Sequence, residues 1–351
     1  ELLAALEGQL DSAPSEGGAW QLHDGDAYYA YRLRRETTTE LSADKIHDVG
    51  IAESAKLRNE LTRELAHLGY DAPSFAAQFS AMAADERFHY PQNELGREMM
   101  LADFAACLDT IKPRVRDAFA EFPKAELVIE PTPRHLEKTR TTNYTPAARD
   151  GSRPAIFELN AGMSLASPSW EVPTLAYHEG IPGHHFQISI AQEQEHLGLF
   201  RRTVIFPAYI EAWAKYAERL PCELGWNRDP QWAVARKRRE LISTVNLVLD
   251  TGIHQKRWTR ERAIRYCMEN AGTDETMARY LIHRICAQPG QVCAYKIGLM
   301  RLLDLRARLE RSLGTNFDLR RFHHAVLRHG ALPLDVMDKV VLARVDHLKT
   351  L

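Results

Sequence analysis

The chain has 351 residues, 45% of them hydrophobic and 26% charged, which is enough to bury a large core in one big domain. A formal net charge of -2 gives no electrostatic case for a nucleic-acid partner or an anionic membrane surface. Five cysteines without CxxC spacing argue against a disulfide framework and against a cysteine-built zinc site, and reduced thiols point to the cytoplasm.

The first stretch, "ELLAALEGQLDSAPSE", is acidic and amphipathic, unlike a signal peptide. It starts at Glu1 without an initiator methionine, so a fragment or processed form is expected. No apolar run approaches the ~18 residues that a membrane span needs. Helical periodicity then dominates. The spacing predicts one long helix over 44–69, closed by Gly69, a serine-capped helix over 74–85, and a helix over 93–122 broken near Pro113. Two strands are predicted, 125–133 and 154–160, joined by the most polar loop of the chain. Further helices follow over 209–220, 232–258, from Thr259 to Asn270, after a Thr273 cap, and over 295–314. The basic run "RKRRE" (236–240) reads as a solvated helix face. The expected fold is mainly α, a large helical domain with a small β-sheet beside the active-site helix. It forms a single domain over 1–351: a helical wall (1–125), the sheet (126–160) and catalytic helices (161–351).

The chemistry concentrates in "LAYHEGIPGHHFQ" (175–187). His178 and Glu179 look like the start of the zinc-peptidase motif H-E-x-x-H, in which two histidines at i and i+4 share a helix face and the glutamate serves the metal-bound water. Here position i+4 is Pro182, which cannot bind metal. On an undistorted helix His185 would lie ~10 Å from His178, too far for one ion. Gly180, Pro182 and Gly183 supply the remedy: an interrupted helix can loop out its extra residues and bring His184 to the place of i+4. His185 is the rival second ligand.

The third ligand is expected from a later helix. Glu211 in "YIEAWAKYAERL" has apolar neighbours at Ile210, Trp213, Ala214 and Ala217, where an unpaired carboxylate is costly. Its bland alternative is a surface pair with Lys215, and Glu218 is the alternative ligand. Transition-state stabilisers are sought in two places. Asp250 and His254 stand at i, i+4, and Tyr295 follows a Pro-Gly break, with Arg279 and His283 as weaker candidates.

The blocks "YHEGIPGHHFQ", "EAWAKYAERL", "DTGIHQKRWTRERA", "RYLIHRICAQPGQVCAYKIG" and "FHHAVLRHGALPLDVMDKVV", in this order, resemble the bacterial family called domain of unknown function 885. The resemblance runs from about residue 25 to near 347, and family chains usually extend further at the N-terminus. Members are similar to zinc metallopeptidases with a glutamate ligand, largely helical enzymes with the metal at the floor of a deep channel. A milder insertion, of one residue, marks the dipeptidyl peptidase III family. By position the resemblance implies His178, His184 and Glu211 as ligands and Glu179 as base, and it favours Tyr295 as oxyanion donor.

The expectation is therefore a zinc-dependent hydrolase of amide bonds, a peptidase on short peptides. Zn²⁺ is its cofactor, His178, His184 and Glu211 the metal ligands, and Glu179, Tyr295 and His254 the catalytic residues. Strand 154–160 is expected to be the edge that pairs with substrate. One rival is a di-iron or di-manganese protein using the E-x-x-H pairs Glu64/His67 and Glu193/His196. Another is a metal-free peptide-binding protein that kept the channel.

Overall fold

A computed structural model of the chain describes residues 1–9 and 16–348, and the side chains up to 344. Residues 10–15 of the acidic N-terminal stretch lie outside it. The architecture is mainly helical with one three-stranded sheet. The labels α1 to α13 are given to its main helices.

The first half holds α1 (Gly25–Thr37), α2 (Ala43–His67), α3 (Phe75–Ala83) and α4 (Glu94–Ile111). Capping decides three of their starts: Ser42 accepts from Lys45 N–H, Ser74 from Ala77 N–H and Asn93 from Gly96 N–H. As expected, the fourth helix stops before Pro113, and a 3-10 turn continues to Asp117.

Strands β1 (Leu127–Pro131), β2 (Asn143–Thr145) and β3 (Ala155–Leu159) form a sheet in the order β1-β3-β2. The first pairs parallel with β3, Ile129 opposite Phe157, and β2 pairs antiparallel with it, Tyr144 opposite Phe157. Two expectations change here. The polar connection contains a strand, and the strand expected over 154–160 is the centre of the sheet instead of its edge. Both sides of β3 are already hydrogen-bonded, so no substrate can pair with it.

The second half carries α5 (Val172–Glu179), α6 (His184–Glu193), α7 (Pro207–Ala217) and α8 (Pro230–His254). Then come α9 (Arg260–Ala271), α10 (Glu275–Ala287), α11 (Cys293–Leu313), α12 (Leu319–Leu327) and α13 (Leu334–Leu348). Asp274, not Thr273, caps α10. The long α8 lies along α2, and α7 lies along α11. The second contact depends on Gly298, where a Cβ would stand 2.1 Å from Ala208 O and 2.8 Å from the Ala212 side chain. Because that position is bare, α11 closes onto α7 and brings Tyr295 toward Glu211.

One apolar core, around Phe104, Phe157, Phe186, Trp213 and Leu302, joins the sheet to α4–α7 and α11. A second, around Leu61, Phe79, Val245 and Ile282, joins α2 and α3 to α8–α10. The run 236–240 is not a solvated face. Arg236 and Glu240 are buried, and Glu240 gathers Arg219 (2.8 Å), Lys296 (3.0 Å) and Arg236 (3.4 Å). Arg238 and Arg239 both reach Glu171, and Lys237 reaches Glu60 and Glu64. A helix buried on several sides keeps such charges only by pairing each of them.

Candidate metal centre

The motif helix is not bulged but cut in two. α5 ends at Glu179, four residues form a turn with a cis Ile181–Pro182 bond, and α6 starts at His184. The turn folds back tightly on the end of α5: a Cβ on Gly183 would stand 2.0 Å from His178 O and 2.2 Å from Tyr177 O. Trp213 of α7 donates its indole N–H to Pro182 O at 2.9 Å, so the turn is fastened to the helix that carries Glu211.

This folding sets His184 against His178, with ring centroids 4.7 Å apart and planes at 82°. Glu211 Oε2 lies 3.6 Å from His178 Nε2 and 3.7 Å from His184 Nε2. Among the described residues, these three form the one group of His, Cys, Asp or Glu side chains that could hold an ion, their ligand atoms all within 4.8 Å. Both distances exceed hydrogen-bond reach, and Glu211 Oε2 is buried without a hydrogen-bond partner. Two atoms that share a tetrahedral zinc at ~2.0–2.2 Å stand about 3.3–3.6 Å apart, so the spacing suits a common cation better than direct contact. The residues present fit the metal.

The surroundings support the same three atoms. His178 Nδ1 is 2.8 Å from Glu218 Oε1, and Glu218 is held in turn by Lys215 at 3.0 Å through both oxygens. Glu218 thus holds His178 from the Nδ1 side, outside the group of three, and Lys215 pairs with Glu218 and not with Glu211. Burial alone would raise the Glu218 carboxyl, but Lys215 and His178 bring it down to about 2. Burial also opposes a charge on His178, yet the carboxylates of Glu211 and Glu218 carry it up to about 9. Burial and the neighbouring His178 push His184 down to about 4. Glu179, buried beside them, is pushed up by burial to about 7.

His185 goes elsewhere. It faces Tyr144 on β2, with its Nδ1 3.2 Å from the hydroxyl, and Ser189 one turn along α6. Burial works to raise the Glu211 carboxyl, but His178 and His184 bring it down, and Tyr295, beside it in the first turn of α11, adds to that effect. Its hydroxyl accepts from Arg284 of α10 at 3.1 Å. The sequence reading missed Arg284; "RICAQPG" carries no spacing that ties an arginine to the site.

Four other candidates fall outside the cluster. His254 is fully buried, its Nδ1 accepting from Ala19 N–H (2.9 Å) and its Nε2 donating to Ile285 O (3.1 Å). Both nitrogens being committed to backbone, His254 is a structural histidine and not an oxyanion donor. Its expected partner Asp250 is likewise taken, by Tyr29 (2.6 Å) and by Gly290 N–H. Arg279 and His283 are exposed, Arg279 paired with Glu275 and His283 with Arg260. The E-x-x-H pairs are dispersed too: Glu64 binds Lys237, while Glu193 accepts from Lys124 and Ala125 N–H.

A family model described as bacterial protein of unknown function, DUF885, matches residues 1–341. The chain belongs to this family. Two solved structures share the DUF885 fold. A putative lipoprotein from Colwellia psychrerythraea is 35% identical, with a TM-score of 0.94 over 97% of this chain and 59% of that one. A putative lipoprotein of unknown function from Shewanella oneidensis is 21% identical, with a TM-score of 0.81 over 97% of this chain and 63% of that one. The chain therefore spans about three fifths of the length of either relative. No curated protein matches it. All five cysteines are free, as expected, but the cytoplasmic placement inferred from them has no support among these relatives. No helix of the described residues is long and apolar enough to cross a membrane.

Proposed function

We propose that this DUF885 protein is a zinc-dependent hydrolase of amide bonds acting on short peptides. The observation that carries the reading is the buried Glu211 Oε2, without a hydrogen-bond partner and nearly equidistant from two imidazole nitrogens. His178, His184 and Glu211 would hold the ion. When bound, zinc lowers the pKa of a water toward ~7 and polarises a carbonyl.

The chain's own groups do the rest. The base is Glu179, next in sequence to His178 and raised by burial to about 7. It takes a proton from the water and passes it to the departing amine, which suits a group titrating close to working pH. Tyr295 donates a hydrogen bond from its hydroxyl to the carbonyl oxygen as charge develops there, and Arg284 steadies that hydroxyl. Glu218 fixes the ring orientation of His178 through Nδ1. An extended substrate has β1 or β2 as its pairing edge, and β2 is the one that touches α6 through Tyr144.

Hydrolysis of a short peptide by zinc-loaded wild type and Glu179→Gln tests the reading. Retained zinc with a rate at least about 100-fold lower is expected for the variant; stoichiometric zinc with undiminished hydrolysis would contradict the role of Glu179. The likeness to the putative lipoprotein from Colwellia psychrerythraea supports an exported location. Fractionation of cells bearing the native full-length protein tests this, with recovery in the envelope expected and recovery in the cytosol against it.

A further inference from the structure

Among the described residues the cation nearest to Tyr295 forms no ion pair, and the Glu211 carboxylate acts on it only from a distance. Arg284 is half-buried on α10 and donates through one nitrogen to two neutral groups, Gln291 Oε1 at 2.8 Å and Tyr295 OH at 3.1 Å. Among the described residues no carboxylate forms an ion pair with it. The other half-buried or buried arginines around the site are paired: Arg239 with Glu171, Arg219 and Arg236 with Glu240. A guanidinium taken partly out of water costs free energy unless an anion meets it, and its flat fork of donors matches a carboxylate on two points. One turn earlier on the same helix Tyr280 is exposed.

We propose that Arg284 binds the free α-carboxylate of the substrate, making the protein a carboxypeptidase that removes the C-terminal residue of short peptides. This rests on the hydrolase reading of the same site. The position sets the register. Arg284 is 3.1 Å from the Tyr295 hydroxyl, and that hydroxyl lies beside Glu211. A residue spans ~3.3–3.6 Å of extended chain, so a carboxylate on this guanidinium belongs to the residue next to the carbonyl under attack. The bond cut is the last amide: the water oxygen joins the carbonyl carbon, the C–N bond breaks, and the amine leaves with a proton as a free amino acid. An internal stretch of a long chain, or a peptide with an amidated end, offers Arg284 nothing to bind.

The test separates recognition from turnover. Calorimetric titration of Glu179→Gln protein, with and without added zinc, compares N-acetyl-trialanine with its C-terminal amide. A third ligand, N-acetyl-Ala-Ala-Glu amide, carries its carboxylate only on a side chain. The free acid is expected to bind about 10- to 100-fold more tightly than either amide, the range of a charge-assisted hydrogen bond, and Arg284→Gln in the same background should erase that preference. Equal binding of acid and amide, no binding of either, or a preference that survives Arg284→Gln would overturn the proposal. Tight binding of the glutamyl amide would overturn the assignment to the α-carboxylate. An arginine that merely steadied Tyr295 would change acid and amide alike. If the binding preference holds but zinc-loaded wild type cleaves none of these peptides, it is the hydrolase reading that fails.

Discussion

Gly183 has no room for a side chain, since any Cβ there would collide with the carbonyls of Tyr177 and His178. That close approach folds the His178–Glu179 pair and the later His184 into one cluster. Gly183→Ala is expected to cost at least about 2 kcal/mol, as overpacked sites do, and to lower zinc retention at the same time. Thermal unfolding together with metal content checks it; a variant with unchanged melting and zinc content would contradict the account. The choice between the two late histidines is equally open to trial. His184→Ala should abolish zinc retention, whereas His185→Ala, which removes a ring packed on Tyr144, should keep about one zinc per chain. The sequence showed that the Gly-Pro-Gly interruption was there to gather histidines. It could not choose between neighbours, because that depends on the direction in which α6 leaves the turn. Glu211 was legible from its apolar surroundings, while Arg284 was not, because its partner Tyr295 comes from α11.

At the scale of elements, α7 and α8 each carry a cluster of buried charged groups. α7 presents Glu211 and, at its C-terminal end, Glu218 to the same histidine, so one helix supplies both a candidate ligand and the outer partner of another candidate. α8 ends at His254, whose two backbone bonds tie it to Ala19 and Ile285. His254→Ala leaves those buried groups unpaired and should destabilise the protein by about 2–4 kcal/mol while leaving zinc content and hydrolysis unchanged. A selective loss of hydrolysis without loss of stability would restore His254 to the site. Further back on α8, burial works to raise the Glu240 carboxyl, but Lys296, Arg219 and Arg236 bring it down to about 2 from 4.5. A depressed carboxylate contributes stability that is fully present above the ordinary value and is lost as pH falls through the folded one. Wild-type stability is therefore expected to decline from about pH 4.5 toward 2, and Glu240→Gln should flatten that slope while costing about 3–5 kcal/mol at neutral pH. Denaturant unfolding across this window measures both; an identical slope in the variant would contradict the assignment. Periodicity located α8 well but misjudged its basic run, since one helix's sequence cannot show how many neighbours enclose it.

For the molecule as a whole, the helical class, the small sheet and its place beside the motif were readable from periodicity and capping signals. Sheet order was not: β2 is three residues long and lies in a polar connection, so no alternation of apolar residues announces it. Strand pairing is a long-range property, and the missing strand made the central strand look like an edge. Two apolar cores meet along α8, and the candidate centre sits on the side of the first, where the turn between α5 and α6, the helix α7 and the start of α11 converge. Each candidate ligand comes from a different helix, so cation binding would join three elements at one point and should stabilise the folded state by mass action. The most direct trial of that claim is an anomalous difference map at the zinc edge, from crystals of the protein grown with zinc. The account predicts a single strong peak between His178 Nε2, His184 Nε2 and Glu211 Oε2. No peak there, or a peak bound through His185 or Glu218 instead, would contradict it.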